Sequence, residues 1–148
     1  MSDRDTLLAL AERVEGLSNP DRSIDAEVAA ALRITPGTPG TEWIKKWDGP
    51  FIANPASHGE PGLVALQNGC WWRAFDFTAS IDVAMKSVPK GWHVGMLTEC
   101  DEDGNPSCCL TQNEEPCRDA VGRGADMALS LVAASLRARA PAIREVKP

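Results

Sequence analysis

The sequence predicts an α+β fold: helices packed on a small, mostly antiparallel sheet, with a long Trp-rich irregular segment. Three observations carry this. Apolar residues recur at helical spacing near both ends, apolar and polar residues alternate from Trp92, and residues 34–76 concentrate Pro, Gly and four of the five tryptophans. At 148 residues, 43% hydrophobic and 24% charged, the chain can bury one core, so a single domain is expected over 1–140 with a tail over 141–148. Its expected parts are a helical pair over 1–33, the irregular segment over 34–76 and a helix–hairpin–helix core over 77–140.

The first helix is read from Leu7, Leu10, Ala11 and Val14, with Gly16 placed to stop it. Ser18-Asn19-Pro20-Asp21 is a turn and a source of N-caps. Ile24, Val28, Ala31 and Leu32 mark the stripe of a second helix, with Asp25 and Glu27 near its positive end and Pro36-Gly37 as its stop. The short link predicts an antiparallel helix pair.

Residues 34–76 carry too much aromatic surface for a disordered linker, because such linkers are depleted in rings. Two short strands are expected there, around 42–47 and 63–73. Thr78 or Ser80 caps a third helix with Ile81, Met85 and Val88 on one face, closed by Pro89 and Gly91. Trp92, Val94 and Met96 alternate with His93, Gly95 and Leu97, so a strand follows. Residues 101–106, Asp-Glu-Asp-Gly-Asn-Pro, form a turn, and 107–111 return as the second strand of a hairpin. The Ala/Leu-rich 124–140 is the strongest helix; Arg137 and Arg139 suit its C-terminal end and Pro141 its stop.

Composition excludes some classes. A net charge of −6 disfavours duplex nucleic acid, which a basic face must neutralise. The acidic, amphipathic N-terminus and the lack of a long apolar run argue against a signal peptide or a membrane partner, and predict a cytoplasmic location. The five cysteines are expected as reduced, buried thiols, since no CxxC knuckle is present for zinc. Cys108 and Cys109 should point to opposite faces of their strand.

The words Thr78-Ala79-Ser80-Ile81-Asp82, Val88-Pro89-x-Gly91-Trp92 and the closing 128–139 helix together resemble a group of small phage and prophage proteins of unassigned function. The resemblance covers about half the chain, and the earlier SIDAEVAAAL helix is similar to that group's first helix. It implies a phage accessory protein acting in the cytoplasm of a host cell and transfers no active site.

Trp71-Trp72-Arg73 is the leading recognition candidate. On an extended segment the two rings face opposite ways, so one can enter the core while the other stays outside, beside a guanidinium. Such a platform suits stacking with a base or a protein-binding hot spot; the alternative is that both rings are buried under the long loop as core. Thr78, Ser80 and Asp82 offer hydroxyls and a carboxylate to a ligand at a helix start, although capping alone also explains them. Arg123, in Val121-Gly122-Arg123-Gly124 before the last helix, could receive an anion, unless Asp126 occupies that dipole itself. The acidic residues 99–103 lack EF-hand spacing and read as a solvated hairpin tip. His58 and His93 have no nucleophile placed beside them by motif, and no phosphate loop is present, so neither catalysis nor a cofactor or metal is expected. The expected function is therefore non-enzymatic: an anti-defence protein that sequesters a small anionic, nucleotide-derived host signal. The alternatives are an inhibitor that binds a host defence protein, and a small enzyme. Homo-oligomerisation fits any of them.

Overall fold

The computed structural model describes residues 3–115 and 117–143. It is an α+β fold with helices α1 (Asp3–Glu15), α2 (Arg22–Leu32), α3 (Ile81–Ala84) and α4 (Met127–Ile143). Its strands are β1 (Ile52–Ala53), β2 (Leu63–Ala65), β3 (Trp71–Arg73), β4 (Trp92–Thr98), β5 (Ser107–Gln112) and β6 (Asp119–Gly122). They form two antiparallel sheets, β1-β2-β3 and β4-β5-β6, where the sequence predicts one. Two compact units result: one from residues up to 20 together with those from 77 onward, the other Asp21–Asp76.

In the first unit, α4 is the centre. Residues 128–136 are all buried, Ser130 and Ser135 included, so the helix is enclosed around its whole circumference. It packs against β5 and β6 on one side and receives the buried Leu7, Leu10, Ala11 and Val14 stripe of α1. The inward face of the sheet supplies Leu110, Cys108 and Ala120, in register with Val94, Leu97 and Gly122. Burial pushes the Cys108 thiol up to about 12, with the neighbouring Cys109 adding to the shift. Cys109 faces the other way, as alternation requires. All five thiols are free, but Cys100 and Cys117 are exposed, contrary to the expected burial.

Arg137 does not serve the helix end. It forms a two-pronged pair with Glu15 of α1 (Nη1–Oε2 2.5 Å, Nη2–Oε1 2.7 Å) and also donates to the Val121 carbonyl at 2.9 Å. Arg139 donates to the Ser87 carbonyl, holding the 3-10 turn Met85–Ser87 that extends α3. The helix α4 runs through Pro141 rather than stopping there, because proline's fixed φ is helical and only a ladder bond near the end is lost. Of the expected tail over 141–148, residues 141–143 continue α4 and 144–148 lie outside the described residues.

The second unit corrects the expected helix pair. Of the expected α2 stripe, Ile24 and Val28 are buried, joined by Ala26 and Ala29, whereas Ala31 is exposed and Leu32 half-buried; the helix meets β1 and β2 within Asp21–Asp76, while α1 belongs to the other unit. Asp21 caps α2, its Oδ1 accepting from Ile24 N at 3.1 Å, and the helix ends at Arg33 in the left-handed region (φ 54°), four residues before Gly37. Arg22 binds this helix to the sheet. Its guanidinium pairs with the fully buried Asp25 at 2.9 Å and donates to the Ala74 carbonyl at 2.7 Å. Gly62 (φ +97°) lies so close that an added Cβ would stand 2.8 Å from Arg22 Nε. The segment read as a strand over 42–47 is a 3-10 turn, Glu42–Lys46, and the strand read over 63–73 is a hairpin. Its turn is closed by Leu66 N to Cys70 O at 2.8 Å and by Gly69 at φ +94°.

Two tests follow from the packing around α4. A Cβ on Gly122 would stand 2.2 Å from the Ser130 carbonyl oxygen and 2.5 Å from Ala134 N, both backbone atoms. Gly122→Ala should therefore destabilise the protein by roughly 3 kcal/mol in urea unfolding, at the upper end of overpacking costs. Burial pushes the Glu15 carboxyl up. The Arg137 hydrogen bonds, the Arg123 N–H and both guanidinium charges outweigh it and hold Glu15 below its ordinary 4.5. A depressed folded value means the stabilisation is complete above 4.5 and is lost as pH falls through the lower folded value. Glu15→Gln should cost about 1–3 kcal/mol at neutral pH and flatten the acid limb of the stability curve.

Candidate functional site

The β3 strand delivers the side-chain split read from the sequence. Trp71 is 46% exposed, whereas Trp72 is half-buried, its ring edge-on to Phe51 with centroids 5.4 Å apart. The Arg33 guanidinium covers that Phe51 ring at 4.1 Å and donates to the carbonyls of Trp47 and Gly49. Trp72 is thus held in a packed aromatic cluster and Trp71 is left outside it.

The sheet register shows what shares Trp71's face. Trp71 stands opposite Ala65, which stands opposite Ile52, so the three form one row across the sheet, and Ile52 is 39% exposed. Arg73, two residues along, shares this face and is exposed. It pairs with Glu60 at 2.5 Å. The His58 ring packs on Trp71 with centroids 5.1 Å apart and an interplanar angle of 60°. Ser57 Oγ lies 3.2 Å from His58 Nδ1. The result is an open indole flanked by an imidazole, an aliphatic side chain and an exposed ion pair.

The remaining predicted residues belong to the other unit and do other work. Thr78 is fully buried and so cannot meet a ligand from solvent. Ser80 caps α3, its Oγ accepting from Val83 N at 3.3 Å, and Asp82 is exposed in that helix's only turn. Residues Val121 and Gly122, read as a loop, are the end of β6. The anion positions near Arg123 are filled by the protein's own carboxylates: its N–H donates to Glu15 Oε2 at 2.7 Å, and its Nε lies 3.5 Å from Asp101 Oδ2. Asp126 Oδ1 accepts from Leu129 N at 2.9 Å, taking the start of α4.

Ile52, His58 and Glu60 are not legible as site residues, because only the pairing of β1 with β2, and of β2 with β3, brings them to Trp71. A local signal exists for the β2–β3 part alone: Asn68-Gly69 between apolar runs is a strong hairpin mark. Asn68 Oδ1 accepts from Cys70 N at 2.9 Å in the resulting turn. His93 is exposed, with Nδ1 2.5 Å from Asn113 Oδ1. Among the described residues, no group of three His, Cys, Asp or Glu side chains is placed to hold a metal ion, and no helix is long and apolar enough to cross a membrane. No family model, curated protein or solved structure matches the chain.

The two neighbouring tryptophans should separate in stability measurements. Trp71→Ala is expected to change unfolding free energy by no more than about 0.5 kcal/mol, as for other surface substitutions. Trp72→Ala should cost about 2–3 kcal/mol by opening the Phe51 cluster.

Proposed function

We propose that this chain is a non-catalytic phage or prophage accessory protein, and that it acts by binding through the Trp71 face of the β1–β3 sheet. The observation that carries this reading is an indole left 46% exposed beside an exposed guanidinium on the same sheet face. The phage attribution rests on the sequence resemblance. The ligand we infer is a small, planar, anionic molecule of the nucleotide-derived class, a host immune signal that the protein withholds. Its base stacks on Trp71 and its phosphate takes Glu60's place on Arg73. That exchange is cheap: both partners of the Arg73–Glu60 pair are largely exposed, and such pairs contribute about 0–1 kcal/mol.

One observation favours a second reading. Ile52, Ala65 and Trp71 make a continuous apolar row whose two ends, Ile52 and Trp71, are exposed, and an exposed Trp beside aliphatic surface is the composition of a protein hot spot. A host defence protein would then occupy the same face.

Calorimetric titration against linear and cyclic nucleotides tests the first reading, followed by recovery of unchanged ligand after denaturation. Binding should weaken roughly 10- to 100-fold in Trp71→Ala, the loss expected for one stacked base. If the whole nucleotide panel leaves the protein unbound, while a host protein is retained through nuclease treatment and released by Trp71→Ala, the second reading replaces the first.

A further inference from the structure

The first unit holds a separate pocket of about 520 Å³ on the open face of its sheet, lined by Met96, Thr98 and Ser107 of the hairpin strands, by the loop between them and by Arg123. Three features of its lining point to one ligand chemistry.

The first is Asp101. Its side chain is only 9% exposed, and Oδ1 is used by the loop itself, accepting from Asp103 N at 2.8 Å and Asn105 N at 3.0 Å. Oδ2 is buried and has no hydrogen-bond partner; Arg123 Nε stands 3.5 Å away, beyond good hydrogen-bond geometry. The Asn105 N–H bond, followed by the Asp103 N–H and the Arg123 charge, outweighs desolvation and keeps this carboxyl below its ordinary 3.8, so it is ionised at neutral pH. The oxygen thus has a charge partner in Arg123 but no hydrogen bond, a costly state for a buried carboxylate oxygen. The second feature is charge: Glu102 and Asp103 also line the pocket, against the single guanidinium of Arg123. The third is Met96, which lines the pocket and is 45% exposed, offering a thioether and methylenes to an aliphatic chain.

We propose that this pocket binds a ligand bearing a protonated amine or guanidinium on a short aliphatic chain. The cation displaces the Arg123 guanidinium from Asp101 Oδ2, donates to that oxygen in its place and is held by the field of Glu102 and Asp103, while the chain lies on Met96. Arg123 is the built-in competitor, a guanidinium already near the same oxygen. This site is distinct from the Trp71 face, and either can fail without the other.

The test is amide-resolved NMR titration of the full chain with agmatine. Saturable shifts should centre on Met96, Thr98 and 100–103, and persist in Trp71→Ala. Asp101→Asn keeps an Oδ1 acceptor for the loop but puts a donor where Oδ2 was, and should weaken agmatine at least tenfold. Arg123→Ala removes the competitor and should tighten it several-fold. Opposite signs for these two variants distinguish ligand contact from loop integrity. Equal weakening by both, equal binding of uncharged n-pentanol, or shifts unaffected by Asp101→Asn would overturn the proposal. Comparing agmatine with a blocked lysine or arginine tripeptide assigns the source: tighter agmatine points to free amines, a tighter peptide to a side chain of a protein partner.

Discussion

The first unit depends on keeping water from the entire circumference of α4. A helix with a single apolar stripe can lie on a surface; one buried from 128 to 136 must be enclosed. That requirement dictates its neighbours. The β5–β6 side must come close, and Gly122 permits it, since the Ser130 and Ala134 backbone fills the space where a Cβ would go. The other side needs a helix with its own narrow stripe, and α1 provides it. The polar atoms at this junction are then satisfied by Arg137, whose fork reaches a carboxylate of α1 and a carbonyl of β6 together. Lysine could not make that three-way connection with the same geometry.

The second unit solves a harder problem with less material. Its strands are two or three residues long, too short to be stable as an isolated sheet. Buried Leu63, Val64 and Leu66 give it a core, and Arg22 joins the start of α2 to Gly62 and Ala74 at the ends of the β2–β3 hairpin. Asp25, wholly buried, balances the charge. With one sheet face committed to Phe51 and Trp72, strand alternation leaves Trp71, Ile52 and Arg73 on the other. The open indole is thus a geometric consequence of a short strand bearing consecutive tryptophans.

Much of this was readable from local pattern. The α+β class, α1, α2, α4 and the β4–β5 hairpin all follow from periodicity and turn chemistry, as does the placing of Trp71 and Trp72 on opposite faces, though not which ring is left exposed. What was not readable depends on pairing at a distance. Residues 119–122 form β6 because β5 offers a partner, and four residues of mixed polarity carry no pattern of their own. The helices α1 and α2 looked like a pair because their link is short; their partners were decided by α4 and by the β2–β3 sheet, which no local rule weighs. At the site, Trp71 and Arg73 were legible as neighbours on alternate positions, but His58 and Glu60 join them only through the β1–β2–β3 register. Thr78, Ser80 and Arg123 misled for a common reason: residues suited to hold a ligand are equally suited to cap a helix or bind a carboxylate of the same chain.

Arginine use separates architecture from contact surface. Arg22, Arg33, Arg137 and Arg139 all spend their donors on backbone carbonyls, and two of them also on carboxylates. Those guanidiniums are fixed parts of the fold. Arg73 differs: its partner Glu60 is about half exposed, and the pair lies in solvent, where its net worth is small. Such a pair costs little to break, yet it holds a flexible side chain near the Trp71 ring while no ligand is bound. Holding a long side chain in place beforehand reduces the ordering cost that binding would otherwise carry, about 0.5–1.5 kcal/mol per side chain. A carboxylate that keeps Arg73 positioned and then yields to a stronger anion would thus reconcile an acidic protein with the anionic ligand proposed for it.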